Sequence, residues 1–271
     1  MNKTVLLAGC GNMGFAMLQG WLASKVISPG GVQVVEPSDP LRERARALGV
    51  RTYATASDAG SDPSPGLVIL AVKPQVMGEA LPSYAGFAQG GSAFLSIAAG
   101  IGMSFMAQKL GVTTPIIRCM PNTPAAIGKG MLVYVTNTHV SAECETFVRG
   151  LLTASGRVAR VEDEALIDAV TAVSGSGPAY VFHFIECLTD AGVAAGLPPE
   201  IAAELAIQTV MGAGALAAES ADTPTRLREH VTSPNGTTAA ALAVLMQDGA
   251  MKNLISEAVE AARKRSVELG A

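Results

Sequence analysis

Up to about Asp163 the apolar residues of this chain come in short unbroken blocks; beyond it they come at helical spacing. Lys3-Thr-Val-Leu-Leu-Ala8 is short and rich in strand formers, which predicts a strand buried on both faces. Comparable blocks at residues 32–36, 67–72, 93–98 and 114–119 predict further strands. Residues 51–53 predict a short edge strand, and residues 131–136 and 157–161 two late ones. Between the blocks, residues 12–24 carry Met13, Ala16, Met17, Gly20 and Trp21 on a helical period, with Trp21 read as core, and residues 141–154 form a second helical stretch. Residues 58–66, dense in proline, glycine and serine, read as a loop. After Asp163 the helical period is broken at residues 174–178, 196–199 and 232–238, where glycine, proline and serine gather. Strands alternating with helices, then helices alone, predict a doubly wound parallel sheet over residues 1–163 and an all-α domain over residues 164–271.

The first strand runs straight into Gly9-Cys10-Gly11-Asn12-Met13-Gly14, which opens a helix. Gly9 permits a tight turn, Gly11 lets backbone approach a pyrophosphate, Gly14 lets helix and strand pack closely, and the helix N-terminus offers free N–H groups to the anion. An ordinary glycine turn is the plain alternative. Glu36, ending the second strand, is placed to hydrogen-bond ribose hydroxyls and favour NAD, whereas Ser38 and Arg42 just beyond it are placed to hold a 2'-phosphate. Arg42, Arg44 and Arg46 alternate with Glu43, and a solvated charged face accounts for most of them at least as well as ligand binding. Ligands bind beyond the carboxyl ends of strands in such sheets, so the strand exits at residues 73–75, 98–100 and 120–124 should line one crevice with the glycine turn.

The chain's 271 residues suffice for two domains, and its formal charge of -4 without a basic stripe argues against nucleic acid. Between Ala165 and Ala218 the charges are Asp168, Glu186, Asp190, Glu200 and Glu204, with no lysine or arginine. So apolar a helical surface needs covering, most economically by a second copy, so a homo-oligomer is expected. Cys10, Cys119, Cys144 and Cys187 lie far apart and read as buried reduced thiols, with no metal site. The uncharged stretch at residues 80–108 is interrupted by Pro82 and several glycines and cannot span lipid as one helix. The first residues lack a secretory pattern, so a cytoplasmic protein without a membrane partner is expected.

Ser233-Pro-Asn-Gly236-Thr237-Thr238 precedes an apolar helix, and its backbone N–H groups and hydroxyls suit a carboxylate; equally, Thr237 or Thr238 caps that helix. No lysine occurs between Lys129 and Lys252, and His183 sits in an apolar run where a satisfied core histidine is expected. Alcohol oxidation would need a base. Hydride delivery to an imine needs less acid–base help and suits these residues better.

Together these segments resemble the pyrroline-5-carboxylate reductases. The resemblance rests on Gly9-Cys-Gly-Asn-Met-Gly14, Ala71-Val-Lys-Pro74, Ser96-Ile-Ala-Ala-Gly100, Arg118-Cys-Met-Pro-Asn-Thr-Pro124, Val173-Ser-Gly-Ser-Gly-Pro-Ala-Tyr180 and Val231-Thr-Ser-Pro-Asn-Gly-Thr-Thr238. It implies NADPH- or NADH-dependent reduction of 1-pyrroline-5-carboxylate to L-proline, the last step of proline biosynthesis. It also implies a Rossmann-like domain, a helical dimerisation domain, active sites shared between subunits, and in some members assembly of dimers.

Carried over by position, Gly9 to Gly14, Glu36, Ser38, Ala71, Val72, Lys73, Pro74, Ala98, Ala99 and Gly100 would bind the cofactor. Ser233, Gly236, Thr237 and Thr238 would hold the substrate carboxylate. Thr238, facing the ring nitrogen, would be the catalytic group, with Glu164 near that nitrogen and Pro178 packed on the ring; a surface role for Glu164 is the plain alternative. The chain departs from the family at Asn235, where a second glycine is usual, and at Glu36, whose charge opposes a 2'-phosphate. Rivals are a reductase of another cyclic imine and a nucleotide sensor without turnover.

Overall fold

The computed structural model describes residues 3–60 and 63–270. Strands β1 (Val5–Ala8), β2 (Val32–Val35), β3 (Arg51–Tyr53), β4 (Leu67–Leu70), β5 (Ala93–Ser96), β6 (Ile116–Met120), β7 (Gly130–Thr136) and β8 (Gly156–Arg160) form one sheet, ordered β3-β2-β1-β4-β5-β6-β7-β8. All neighbours are parallel except β6 and β7, so the sheet is mostly parallel. The helices interleaved with the strands are α1 (Asn12–Ala23), α2 (Asp39–Arg46), α3 (Ala56–Ala59), α4 (Pro74–Ala80), α5 (Ala85–Gln89), α6 (Met103–Leu110) and α7 (Ala142–Thr153). There follow α8 (Leu166–Val170), α9 (Gly177–Ala194), α10 (Pro199–Glu219), α11 (Pro224–His230), α12 (Thr237–Met246) and α13 (Ala250–Gly270).

Every residue of β1, β4 and β5 is buried. Period-2 alternation sends Val5 and Leu7 to one face, against Met17, Leu18 and Trp21 of α1, and Leu6 and Ala8 to the other, against Met77, Leu81 and Phe94. Both faces are therefore covered, which is why these strands read as unbroken apolar blocks. The crossovers reverse direction between β2 and β4, on either side of β1. That switch point puts the glycine turn after β1 at the sheet's central crevice.

Pro74 does more than stop a strand: it is the first residue of α4, where its missing N–H costs nothing. Part of the loop expected at residues 58–66 is instead the end of α3, secured by a capping box between Thr55 and Asp58. Ser61 and Asp62 lie outside the described residues.

The chain forms two compact units, one reaching through Ser176 and taking in the chain from Ala262 on, the other Gly177–Ala261. In the second, α9 packs on α10. Among their residues only Ala202 and Ala206 are buried, while Phe182, Phe184, Leu205, Ile207 and Met211 are exposed. Two expectations change here. Cys187 is exposed, unlike the other three cysteines, and His183 is no core histidine: it is exposed and pairs with Glu186 at 3.0 Å. Both lie on α9, which has no buried residue in the single chain.

Candidate functional site

The glycine turn is shaped by contacts only glycine allows. Gly9 has φ +91, and a Cβ there would lie 2.7 Å from the carbonyl oxygen of Ala71; one on Gly14 would lie 2.4 Å from that of Gly9. One on Gly11 would meet nothing within 4 Å. Gly9 and Gly14 thus serve close packing of the turn, and Gly11 leaves an open space in front of the N-terminus of α1. The turn is tied down by Gly9 N–H donating to Val35 O (2.8 Å) and Ala71 N–H to Ala8 O (2.7 Å).

A groove of about 400 Å³ opens from that space. It is lined by Gly11, Asn12 and Met13 of the turn, by Ala71 to Pro74 after β4, by Ile97 to Ala99 after β5, by Met120 to Thr123 after β6, and by Gly175. The three strand exits therefore meet the glycine turn around one crevice. Its walls are apolar, and Lys73 brings a positive charge to its edge. An open backbone cradle, an uncapped helix N-terminus and an apolar slot fit a pyrophosphate joined to a flat ring.

Several sequence-predicted residues stand behind the groove rather than in it. Cys10 is fully buried, and burial, partly offset by Arg44, pushes its thiol up to about 11. Glu36 is 7% exposed: one carboxylate oxygen accepts from Cys10 N–H at 2.7 Å, the other from Ser38 N–H at 2.9 Å. Arg44 does not belong to a solvated face; its guanidinium lies over the Phe15 ring at 3.9 Å and donates to Cys10 O at 2.9 Å.

Gly100 and Glu164 border a different cavity of about 360 Å³, with Gly102, Arg118, Asp168 and Ser266. Glu164 is tied there: one oxygen accepts from Arg118 (3.1 Å) and from Met103 N–H (2.8 Å), the first amide of α6. Asp168 accepts from Ser266 (2.7 Å) and lies 3.9 Å from Arg118. Arg118 is nearly buried, so its charge needs these two carboxylates. Glu164 is thus not among the groove-lining residues, because the buried arginine and a helix N-terminus claim its carboxylate.

Three of these helices are capped at the start by a side chain, and three others start at a bare glycine. Thr55, Ser141 and Thr223 cap α3, α7 and α11 with their side chains, whereas α1, α6 and α12 start at Gly11, Gly102 and Gly236 without a side-chain cap. Glu164 shows what such a start attracts: a carboxylate fills the one at α6. At α12, Thr237 and Thr238 are the first two helical residues and neither is the cap. Asn235 takes the left-handed conformation at φ +58, and a Cβ on Gly236 would meet Ser233 O at 3.1 Å, so the turn closes tightly. Ser233, Gly236, Thr237 and Thr238 thus lie together at the start of α12, within the helical unit, where no side chain caps the helix. Pro178 lies in the first turn of α9.

The strand exit expected at residues 120–124 does line the groove, through Met120 to Thr123, whereas Ile97 and Gly175 had not been picked out as site residues. Asn122 fixes that wall, accepting from Met131 N–H (2.8 Å) and donating to Ser174 O (3.1 Å). A π-helical turn over Thr171–Gly175 brings Gly175 so close to Met120 that a Cβ would lie 2.6 Å from its methyl. The segment Arg118-Cys-Met-Pro-Asn-Thr-Pro124 had marked that strand exit.

The profile of the family described as pyrroline-5-carboxylate reductase dimerisation matches residues 164–269, and one described as NADP oxidoreductase, coenzyme F420-dependent, matches residues 3–100. The chain is 40% identical over 270 residues to a pyrroline-5-carboxylate reductase of Pseudomonas aeruginosa, covering 98% of this chain and 96% of the relative. Among solved structures it is similar to the Coxiella burnetii pyrroline-5-carboxylate reductase, with TM-score 0.92, 31% identity and coverage of 99% and 98% of the two chains. It is also similar to the Plasmodium falciparum pyrroline carboxylate reductase with NADP bound, with TM-score 0.85, 28% identity and the same coverage.

Proposed function

The chain belongs to the pyrroline-5-carboxylate reductase family, and from that premise we propose how its residues perform the family's reaction. It catalyses NAD(P)H-dependent reduction of 1-pyrroline-5-carboxylate to L-proline, the last step of proline biosynthesis. It binds NADP(H), as the similar Plasmodium falciparum protein does. It pairs through its dimerisation domain. The observation that carries the residue-level reading is the presence in one chain of two uncapped glycine-started helices, α1 beside the groove and α12 at the Ser233–Thr238 turn.

The glycine turn Gly9 to Gly14, with Glu36 and Ser38 behind it, holds the dinucleotide, and Ala71 to Pro74 with Ala98 and Ala99 shape the slot for its nicotinamide, while Gly100 borders the neighbouring cavity. The cofactor supplies the hydride. The N–H groups of Thr237 and Thr238, with the Ser233 hydroxyl, hold the substrate carboxylate, while Gly236 closes the turn by donating its own N–H to Ser233 O at 3.0 Å, and Pro178 packs on the ring. Rate enhancement then comes chiefly from fixed orientation of two flat rings. The Thr238 hydroxyl donates a hydrogen bond or proton to the imine nitrogen, which becomes the amine of proline. Glu164 supports the site indirectly: by capping α6 it fixes the loop that carries Ala98 and Ala99.

Functionally we divide the chain at residues 163 and 164, with dinucleotide binding before and substrate binding and pairing after. Each site is completed by two subunits, dimers assemble further, and the enzyme is cytoplasmic. The helix Pro199–Glu219 is long and apolar enough to cross a membrane, but it lies within the dimerisation match, so a second copy is its covering surface.

Thr238→Ala is expected to lower kcat about 100-fold, in the range of general-acid contributions, while cofactor affinity by fluorescence titration is unchanged. Equal loss of cofactor binding, or unaltered kcat, would remove Thr238 from this role.

A further inference from the structure

Sequence left two ways of reading the end of β2: Glu36 for a ribose hydroxyl, or Ser38 and Arg42 for a 2'-phosphate. Side-chain placement separates them. The Glu36 carboxylate is clamped by two backbone amides from different segments, Cys10 N–H at 2.7 Å and Ser38 N–H at 2.9 Å. It is 7% exposed, so it can neither swing away from an incoming anion nor be screened well by water. Each of its oxygens keeps one lone pair free, enough to accept a ribose hydroxyl.

The two arginines that follow are engaged elsewhere. Arg42 donates to the carbonyls of Glu36 (2.7 Å) and Pro37 (2.8 Å) and pairs with Asp39. Arg44 stacks on Phe15 and donates to Cys10 O at 2.9 Å. Glu36 and Asp39 balance Arg42 and Arg44 in formal charge, so a 2'-phosphate would bring its charge to a neutral cluster that already holds a fixed carboxylate. The Ser38 amide, which could have met such a phosphate, is spent on Glu36.

We propose that Glu36 is a specificity-determining residue that makes this enzyme favour NADH over NADPH, both of which it binds. The inference rests on the reductase reading and deepens it. Cys10 and Ser38 act with Glu36 through their amides alone, so their side chains do not set the preference.

The test titrates the full-length wild-type protein by calorimetry with ADP-ribose and with its 2'-phosphorylated analogue, alongside steady-state assays with NADH and NADPH. ADP-ribose is expected to bind at least about 10-fold more tightly, about 1.4 kcal/mol, and kcat/KM to favour NADH in the same sense. Glu36→Ser is expected to erase that ratio by tightening the phosphorylated ligand; should circular dichroism show it unfolded, Glu36→Gln removes the charge at nearly constant shape. Equal or tighter binding of the phosphorylated ligand by wild type, or an unchanged ratio in a folded variant, overturns the proposal. Binding of neither ligand overturns the groove assignment and the proposal with it. The expected ranking without turnover of pyrroline-5-carboxylate by either cofactor would sink the reductase reading and leave the role of Glu36 standing.

Discussion

In the sheet unit, β1, β4 and β5 are buried at every position, and Trp21, Met17 and Phe94 are fully enclosed; in the helical unit, α9 and α12 bury no residue. The same apolar richness therefore does two jobs. Before Ser176 it makes a core within one chain, and after it a surface for a second chain. Residues 165–219, which include α9 and α10, carry no lysine or arginine, as suits a face destined for burial in a dimer, which cannot hold lysines without stranding them. The two glycine-started helices divide likewise, α1 lying on the buried sheet and α12 burying no residue in the single chain.

Damage to the two units should accordingly fail in different ways. The largest effect is expected for Gly14→Val, whose side chain would collide with the Gly9 carbonyl. Overpacking against backbone should cost about 3 kcal/mol or more and abolish cofactor binding, read by urea denaturation and fluorescence titration. Next comes Ile207→Asp on α10, exposed in the single chain. Its secondary structure should survive while the dimer dissociates, since a charge on a covered apolar face costs several kcal/mol, roughly the scale of an unpaired buried ion. Sedimentation velocity checks it, and a variant that remains a fully active dimer would break the comparison.

The smallest effect is alkaline. Burial pushes Cys10 and Cys144 up to about 11, and Tyr84 to about 12, and raises Cys119 as well, all in the sheet unit. A folded state that holds protons the unfolded chain releases loses stability as pH rises through the unfolded thiol range, about 8.5, toward these folded values. Melting temperature should fall progressively from about pH 9, with loss of sheet-unit signals first. A flat profile between pH 8 and about pH 11 would contradict this burial of the thiols.

Much of this was legible in advance because it depends on local pattern. Unbroken apolar blocks mark strands covered on both sides, and Gly9, Gly11 and Gly14 mark a turn whose backbone must be bare. Even the tolerance of Asn235 for a left-handed angle could be stated beforehand, and it sits at φ +58. The cap at α12 was less legible: threonines after a proline turn read as caps, and only the backbone path made Gly236 the cap and put both threonines inside the helix. Arg44 read as well for a solvated face as for a ligand contact until the fold laid it on Phe15.

Sequence by itself determined the order of elements, the two-part organisation, the glycine cradle and the family, because these follow from residue periodicity and from positions that tolerate no side chain. The tertiary structure decided which partner each charged group takes. Glu36 meets the amide of Cys10 across 26 positions of chain, and Glu164 meets Arg118 across 46. Such pairings arise where strand exits converge, and spacing along a chain does not encode that proximity; burial then fixes the pair, since a charge removed from water must keep the partner the fold supplies.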